Sequence, residues 1–195
     1  GIDDRPVEVG RVMKSIGHEE TFATDRHTHV ELQRELVRLS DGVASRLRAQ
    51  GMAARTLTLK VRFASFETIT RATTVPAPVT SAHAVVAAAL PLLLAIDPSP
   101  GVRLLGISAS QLIDPPVVQD QLTLDDVVGD ERAGDREWDA AEQTIDAIRS
   151  RFGNTAIGPA SAVETGVKGA GLRLVRRGAQ QWGPDQGPPV EGPAT

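Results

Sequence analysis

Cysteine is absent from these 195 residues. That excludes disulfides and thiolate metal sites and suits a reducing cytoplasm. Aromatic residues make up only 3% of the chain against a hydrophobic fraction of 41%, so a core has to be built from Val, Leu, Ile and Ala. No apolar run reaches the roughly 18–20 residues that cross a bilayer. The longest, at 84–96, is interrupted by Pro91. The expectation is a soluble, cytoplasmic, globular protein with no membrane partner. The opening Gly1-Ile2-Asp3-Asp4-Arg5 has neither signal-peptide character nor an initiator Met, so a piece of a larger chain is expected. Also missing are a Walker-type phosphate loop, a G-x-S-x-G elbow and an H-E-x-x-H pair. No catalytic constellation and no cofactor site is left to assign.

Lysine is scarce, occurring only at Lys14, Lys60 and Lys168; every other cation is Arg. The planar Arg fork suits phosphate, although a GC-rich coding genome produces the same bias. The net charge of −4 is unevenly spread, at +2 for residues 1–113, −6 for 114–135 and zero for 136–195. The acid sits in one short stretch, which reads as a linker together with Pro115-Pro116.

Periodicity sets out the elements. A strand is expected over 16–24. A helix follows, capped by Asp25 or Thr28, with Leu32, Leu36, Leu39, Val43 and Leu47 at helical spacing and a stop at Gly51. Residues 55–63 are the clearest strand, because Leu57, Leu59, Val61 and Phe63 alternate with Thr56, Thr58, Lys60 and Arg62. A turn near Ser65-Phe66-Glu67 leads into a partner strand at 68–75, ended by Pro76 and Pro78. Thr80-Ser81 opens a second helix through Leu94, with Pro91 expected to bend or break it. A last short strand covers 102–108.

The fold class is therefore α+β: a β-α-β-β-α-β, split βαβ arrangement, with a four-stranded sheet and two helices on one face. The other face is left open. Residues 1–13 read as a tether, 14–113 as the domain, 114–135 as the acidic linker and 136–195 as an extension. The extension has one amphipathic helix at 136–152, with an apolar stripe of Trp138, Ala141, Ile145, Ile148 and Phe152. A Gly/Pro-rich end from Gly183 is expected to be disordered.

Asp3-Asp4, Glu19-Glu20 and Asp125-Asp126 are carboxylate pairs of the kind that hold Mg²⁺, but neighbours on a strand point to opposite faces, and solvated charge explains them better. His27-x-His29 with Asp25 reads as a polar helix start rather than a metal site. The informative surface is the polar side of the central hairpin, where Thr56, Thr58, Lys60 and Arg62 offer hydroxyls and cations to phosphate oxygens. Half-exposed strands of any protein share that look.

Several stretches, in order, resemble the little finger (polymerase-associated) domain of Y-family, translesion DNA polymerases of the bacterial DNA polymerase IV type. They are 1–7 (GIDDRPV) with Lys14-Ser15-Ile16-Gly17, then Glu20-Thr21-Phe22, 55–62 (RTLTLKVR), 66–71 (FETITR) and 101–107 (GVRLLGI). The resemblance implies the same strand and helix order and a face that lies against primer–template DNA. It suggests Lys14, Ser15, Gly17, Thr21, Arg55, Thr56, Lys60, Arg62, Thr70, Arg71 and Arg103 as DNA-contacting residues. It also implies a parent polymerase using Mg²⁺ in a separate palm, so that this stretch alone is inactive. Strict alternation puts Arg71 on the buried side with Ile69, so a bulge is expected to turn it outward, the alternatives being an edge position or a structural ion pair.

Family members resembling this chain carry a sliding-clamp-binding peptide of the form Q-L-x-L after the last strand. Gln121, Leu122 and Leu124 fit it, with Asp125-Asp126 where an apolar anchor normally stands. The tail, with Arg151-Phe152-Gly153 and 176–184, is similar to the extension of actinobacterial members. Read without the resemblance, the alternatives are a split-βαβ module for protein or RNA contacts and a small independent enzyme.

Overall fold

The computed structural model describes residues 13–114, 130–153, 156–160, 163–164 and 173–174. The expectations for Asp3-Asp4, for the peptide at Gln121, Leu122 and Leu124 with Asp125-Asp126, for 176–182 and for the end from Gly183 all lie outside the described residues.

Strand β1 (Ser15–Arg26) leads to helix α1 (His29–Ala49), the hairpin of β2 (Ala53–Phe63) and β3 (Thr68–Val79), helix α2 (Ala82–Leu94) and strand β4 (Val102–Ile113). The sheet order is β1-β4-β2-β3. Every neighbouring pair is antiparallel, so β1 and β2 run parallel with β4 between them, which is the expected split βαβ. Both helices cover one face. Leu57, Leu59 and Val61 of β2 and Leu105, Ile107 and Ala109 of β4 meet Leu32, Leu36, Leu39, Val43 and Leu47 of α1 and Val85, Ala89 and Leu93 of α2. This is an aliphatic core, as the scarcity of aromatics requires; Phe22 joins it from β1.

Local chemistry explains the element ends. Thr28, not Asp25, caps α1. Its hydroxyl accepts from the Glu31 N–H, and the Glu31 side chain reaches back to the Thr28 N–H, a reciprocal capping box. Gly51 takes φ +59 just after the helix, where only a residue without a Cβ is unstrained. Helix α2 runs unbroken through Pro91. Pro91 and Ala87 both lie on the exposed side, so the carbonyl that loses its N–H partner faces water.

Two strands run past their expected ends. Strand β3 continues through Pro76 and Pro78 to Val79 because it is an edge strand and pairs only with β2, where a missing N–H costs little. Its register against β2 shifts between Ala54 and Thr56. Strand β4 extends to Ile113, since Ala53 and Ala54 of β2 pair with Ile113 and Leu112.

Helix α3 spans Asp130–Phe152, beginning within the expected linker, and it docks on the helical layer through charge. Arg48 of α1 is 13% exposed and pairs with Glu142, and with Asp146 at 2.7 Å. Arg149, 4% exposed, donates both terminal nitrogens to Asp41 of α1 and its Nε to the carbonyl of Ile157 at 3.0 Å. Glu142 also accepts from the N–H groups of Ala82 and His83, which open α2. Trp138 stacks on His83 with centroids 5.3 Å apart.

Within the apolar stripe, Ala141 and Phe152 are exposed and Ile145 and Ile148 half-buried. Two-residue strands β5 (Val163–Glu164) and β6 (Arg173–Leu174) pair antiparallel. No described helix is long and apolar enough to cross a membrane.

Candidate nucleic-acid interface

The uncovered sheet face is built from the residues that alternate with the core, and the strand registers arrange them in rows across β1, β4, β2 and β3. Ser15, Ser110, Thr56 and Thr74 form one row, and Gly17, Ser108, Thr58 and Ala72 the next. Glu19, Gly106, Lys60 and Thr70 follow, then Thr21, Leu104, Arg62 and Thr68. Most of these positions carry a hydroxyl, and the remaining uncharged ones are small apart from Leu104. Such a surface is low in relief and rich in donors, so an extended polyanion can approach the backbone closely.

The charged groups are held in place. Lys60 Nζ donates to Glu19 Oε2 at 2.8 Å, bridging over Gly106. Arg62 Nε donates to the Thr68 hydroxyl at 2.9 Å, and the hydroxyls of Thr56 and Thr74 meet at 3.0 Å. Gly17 is also closely packed: a Cβ there would lie a tight 3.1 Å from Ser108 Cβ. Its smallness serves strand packing as well as access from outside.

Of the residues singled out in the sequence, Ser15, Gly17, Thr21, Thr56, Lys60, Arg62 and Thr70 share this face. Lys14 is exposed just before β1. Arg55 is exposed at the register shift of β2, and its guanidinium donates to the Pro76 carbonyl at 3.1 Å. Arg103 sits at a second irregularity, where Arg62 pairs with Leu104 and Phe63 with Val102. Its guanidinium lies 4.8 Å from the centroid of Phe66 and 3.9 Å from Asp25.

Arg71 is the correction. Pairs run regularly from Arg62–Thr68 to Thr56–Thr74, so no bulge precedes it, and it stands opposite Leu59 on the helix-side register. Because β3 is an edge strand, Arg71 is nonetheless exposed. It donates to the Thr70 carbonyl at 3.0 Å and lines a recess with Glu67 and Asp97.

Glu19 and Glu20 part company as alternation requires, Glu19 to Lys60 on the open face and Glu20 to Arg38 of α1 on the other. His27 Nδ1 and His29 Nε2 face the carbonyl oxygens of Ser99 and Ile96 at 3.2 and 2.9 Å. These are contacts to backbone, and they tie α1 to the end of α2. Periodicity missed the platform made by Phe66, which is 65% exposed and held at φ +67. The unusual backbone of a bulky residue is visible only in three dimensions.

Comparison with known proteins places this sheet. Residues 13–124 match the impB/mucB/samB family C-terminal domain. A DNA polymerase IV of Streptomyces coelicolor is 40% identical over 141 residues, 72% of this chain and 28% of that protein. One of Desulfatibacillum aliphaticivorans is 35% identical over 164 residues, 84% of this chain and 40% of that protein. One of Halorhodospira halophila is 47% identical over 114 residues, 57% of this chain and 32% of that protein. The chain thus spans 28–40% of the length of these relatives. A solved structure titled "Complex of beta-clamp processivity factor and little finger domain of PolIV" covers 56% of this chain and 97% of that one, at 26% identity and a TM-score of 0.44. With the four-stranded sheet and both covering helices inside the matched stretch, the chain belongs to the impB/mucB/samB family, and residues 13–124 match its C-terminal domain.

Proposed function

We propose that the open sheet face holds primer–template DNA by its phosphates for a translesion DNA polymerase of the DNA polymerase IV kind. The catalytic palm and its Mg²⁺ belong to a part that this chain does not span. The observation carrying the proposal is the composition of the face. Hydroxyls of Ser15, Thr21, Thr56, Thr58 and Thr70 alternate with glycines around Lys60 and Arg62. Hydroxyls and cations serve any phosphate backbone and read no base edge, which suits a domain that must accept every template. Lys14, Arg55, Arg71 and Arg103, around the margin, extend the cationic rim. Gln121, Leu122 and Leu124, which follow β4 in the sequence, supply a peptide for the replicative sliding clamp.

Titration of duplex DNA into the 195-residue chain across a salt series tests the reading. Binding without sequence preference is expected, with a log–log slope of about −0.9 per phosphate neutralised. A flat salt response, or binding confined to one sequence, rejects it.

A further inference from the structure

We propose that Glu19 limits how tightly this face holds DNA, acting as an electrostatic brake on Lys60. The inference rests on the DNA-holding reading above and concerns the strength of that grip.

Glu19 on the outer strand β1 and Lys60 on β2 are separated by β4, and they meet because the residue between them in the row is Gly106. Their side chains lean over that glycine and join at 2.8 Å. The glycine is needed for this: a Cβ at 106 would stand 2.8 Å from Glu19 Cβ. Neither group is hidden, with Glu19 53% and Lys60 35% exposed. Glu19 is also the one acid in the four rows; Arg62, the other cation there, is bonded to a neutral hydroxyl and keeps its full charge.

Two consequences follow. In the free protein the charge of Lys60 is already neutralised, so a phosphate arriving there must displace a carboxylate or share the ammonium with it. A shared ammonium brings the phosphate within about two hydrogen-bond lengths of Glu19, where two anions repel. Both effects weaken the grip without touching the shape of the face. A domain that must let DNA slide and leave needs such a limit, since each further neutralised phosphate steepens the dependence of affinity on salt.

The experiment compares wild type, Glu19→Gln, Lys60→Ala, the double variant and Arg62→Ala in the full 195-residue chain, by duplex titration over a salt series. Thermal melting checks each fold, and Glu19→Ala is a second removal of the charge. Glu19→Gln is expected to tighten binding about five-fold at low salt, the size of a close unit-charge interaction at an exposed site. It should steepen the log–log salt slope by about 0.9, one more phosphate neutralised. Lys60→Ala should lose more affinity in the Glu19→Gln background than in wild type.

If Arg62→Ala weakens binding while both Glu19 variants leave it unchanged or weaker, the brake is overturned and the DNA-holding reading stands. If wild type and Glu19→Gln both fail to bind duplex DNA, the reading itself falls and the brake falls with it.

Discussion

Arg149 and Asp41 are 108 positions apart in the chain and meet fork to fork, with Nη1 and Nη2 at 3.0 and 2.9 Å from the two carboxylate oxygens. Arg149 also lies 3.8 Å from Asp146, so losing one partner of this largely buried pair weakens the anchor at the lower end of about 3–5 kcal/mol. Asp41→Asn or Arg149→Met should therefore release α3 locally. Hydrogen exchange should accelerate across 142–152 while β2 and β4 stay protected. Unchanged protection in α3 would mean that Arg48 with Glu142 and Asp146 suffices alone.

The two sides of β2 should respond oppositely to truncation. Leu59→Ala opens a cavity in the aliphatic core and should destabilise the domain by about 2–5 kcal/mol. Lys60→Ala with Arg62→Ala should leave the unfolding midpoint nearly unchanged and weaken DNA binding. Denaturant titration and DNA titration of the same samples separate these outcomes.

The start of α1 should be sensitive to acid. The hydroxyl of Thr28, with the N–H groups of His27 and Thr28, holds the Glu31 carboxyl below its ordinary value of 4.5. A lowered folded pKa adds stability that is fully present above the ordinary value and is lost as pH falls through the folded one. Thr28→Ala should cost about 1 kcal/mol at neutral pH. The gap to wild type should narrow as the solution is acidified below pH 4.5. A gap that is constant with pH would show that Glu31 takes no part.

A peptide of residues 114–135 should bind the sliding clamp in the micromolar range, about 4 kcal/mol short of nanomolar, because Asp125-Asp126 occupy the place of an apolar anchor. Gln121→Ala with Leu124→Ala should abolish it. Absence of binding at high peptide concentration would leave the stretch as a linker only.

The sequence spoke most clearly where burial is one-sided. Leu57, Leu59 and Val61 alternate with Thr58, Lys60 and Arg62, so β2 and its two faces were legible, and with them most of the candidate interface. Strand β4 past Ser108 was not, since Ala109, Ser110 and Gln111 give weak contrast and the pairing with Ala53 and Ala54 leaves no local trace. Pro76 and Pro78 were misread as stops because the edge position of β3 is a property of the whole sheet. Helix α3 misled most. Its apolar stripe was visible, but the face that docks is chosen by Asp41 and Arg48, and no periodicity within α3 records them.

Helix α2 begins without an acidic residue in its first turn, and the carboxylate at its opening N–H groups comes from Glu142. On the ribosome, β1 through β4 emerge before α3, and the more N-terminal parts of a chain fold first. At that stage Arg48 lacks Glu142 and Asp146, and Ser81 alone caps α2, through the Ala84 N–H. The sheet and its core are complete at Ile113, but the carboxylates for Arg48 and for the start of α2 arrive only when α3 has left the exit tunnel. What waits on the synthesis of α3 is therefore the neutralisation of one cation and one helix start, not the burial of the core.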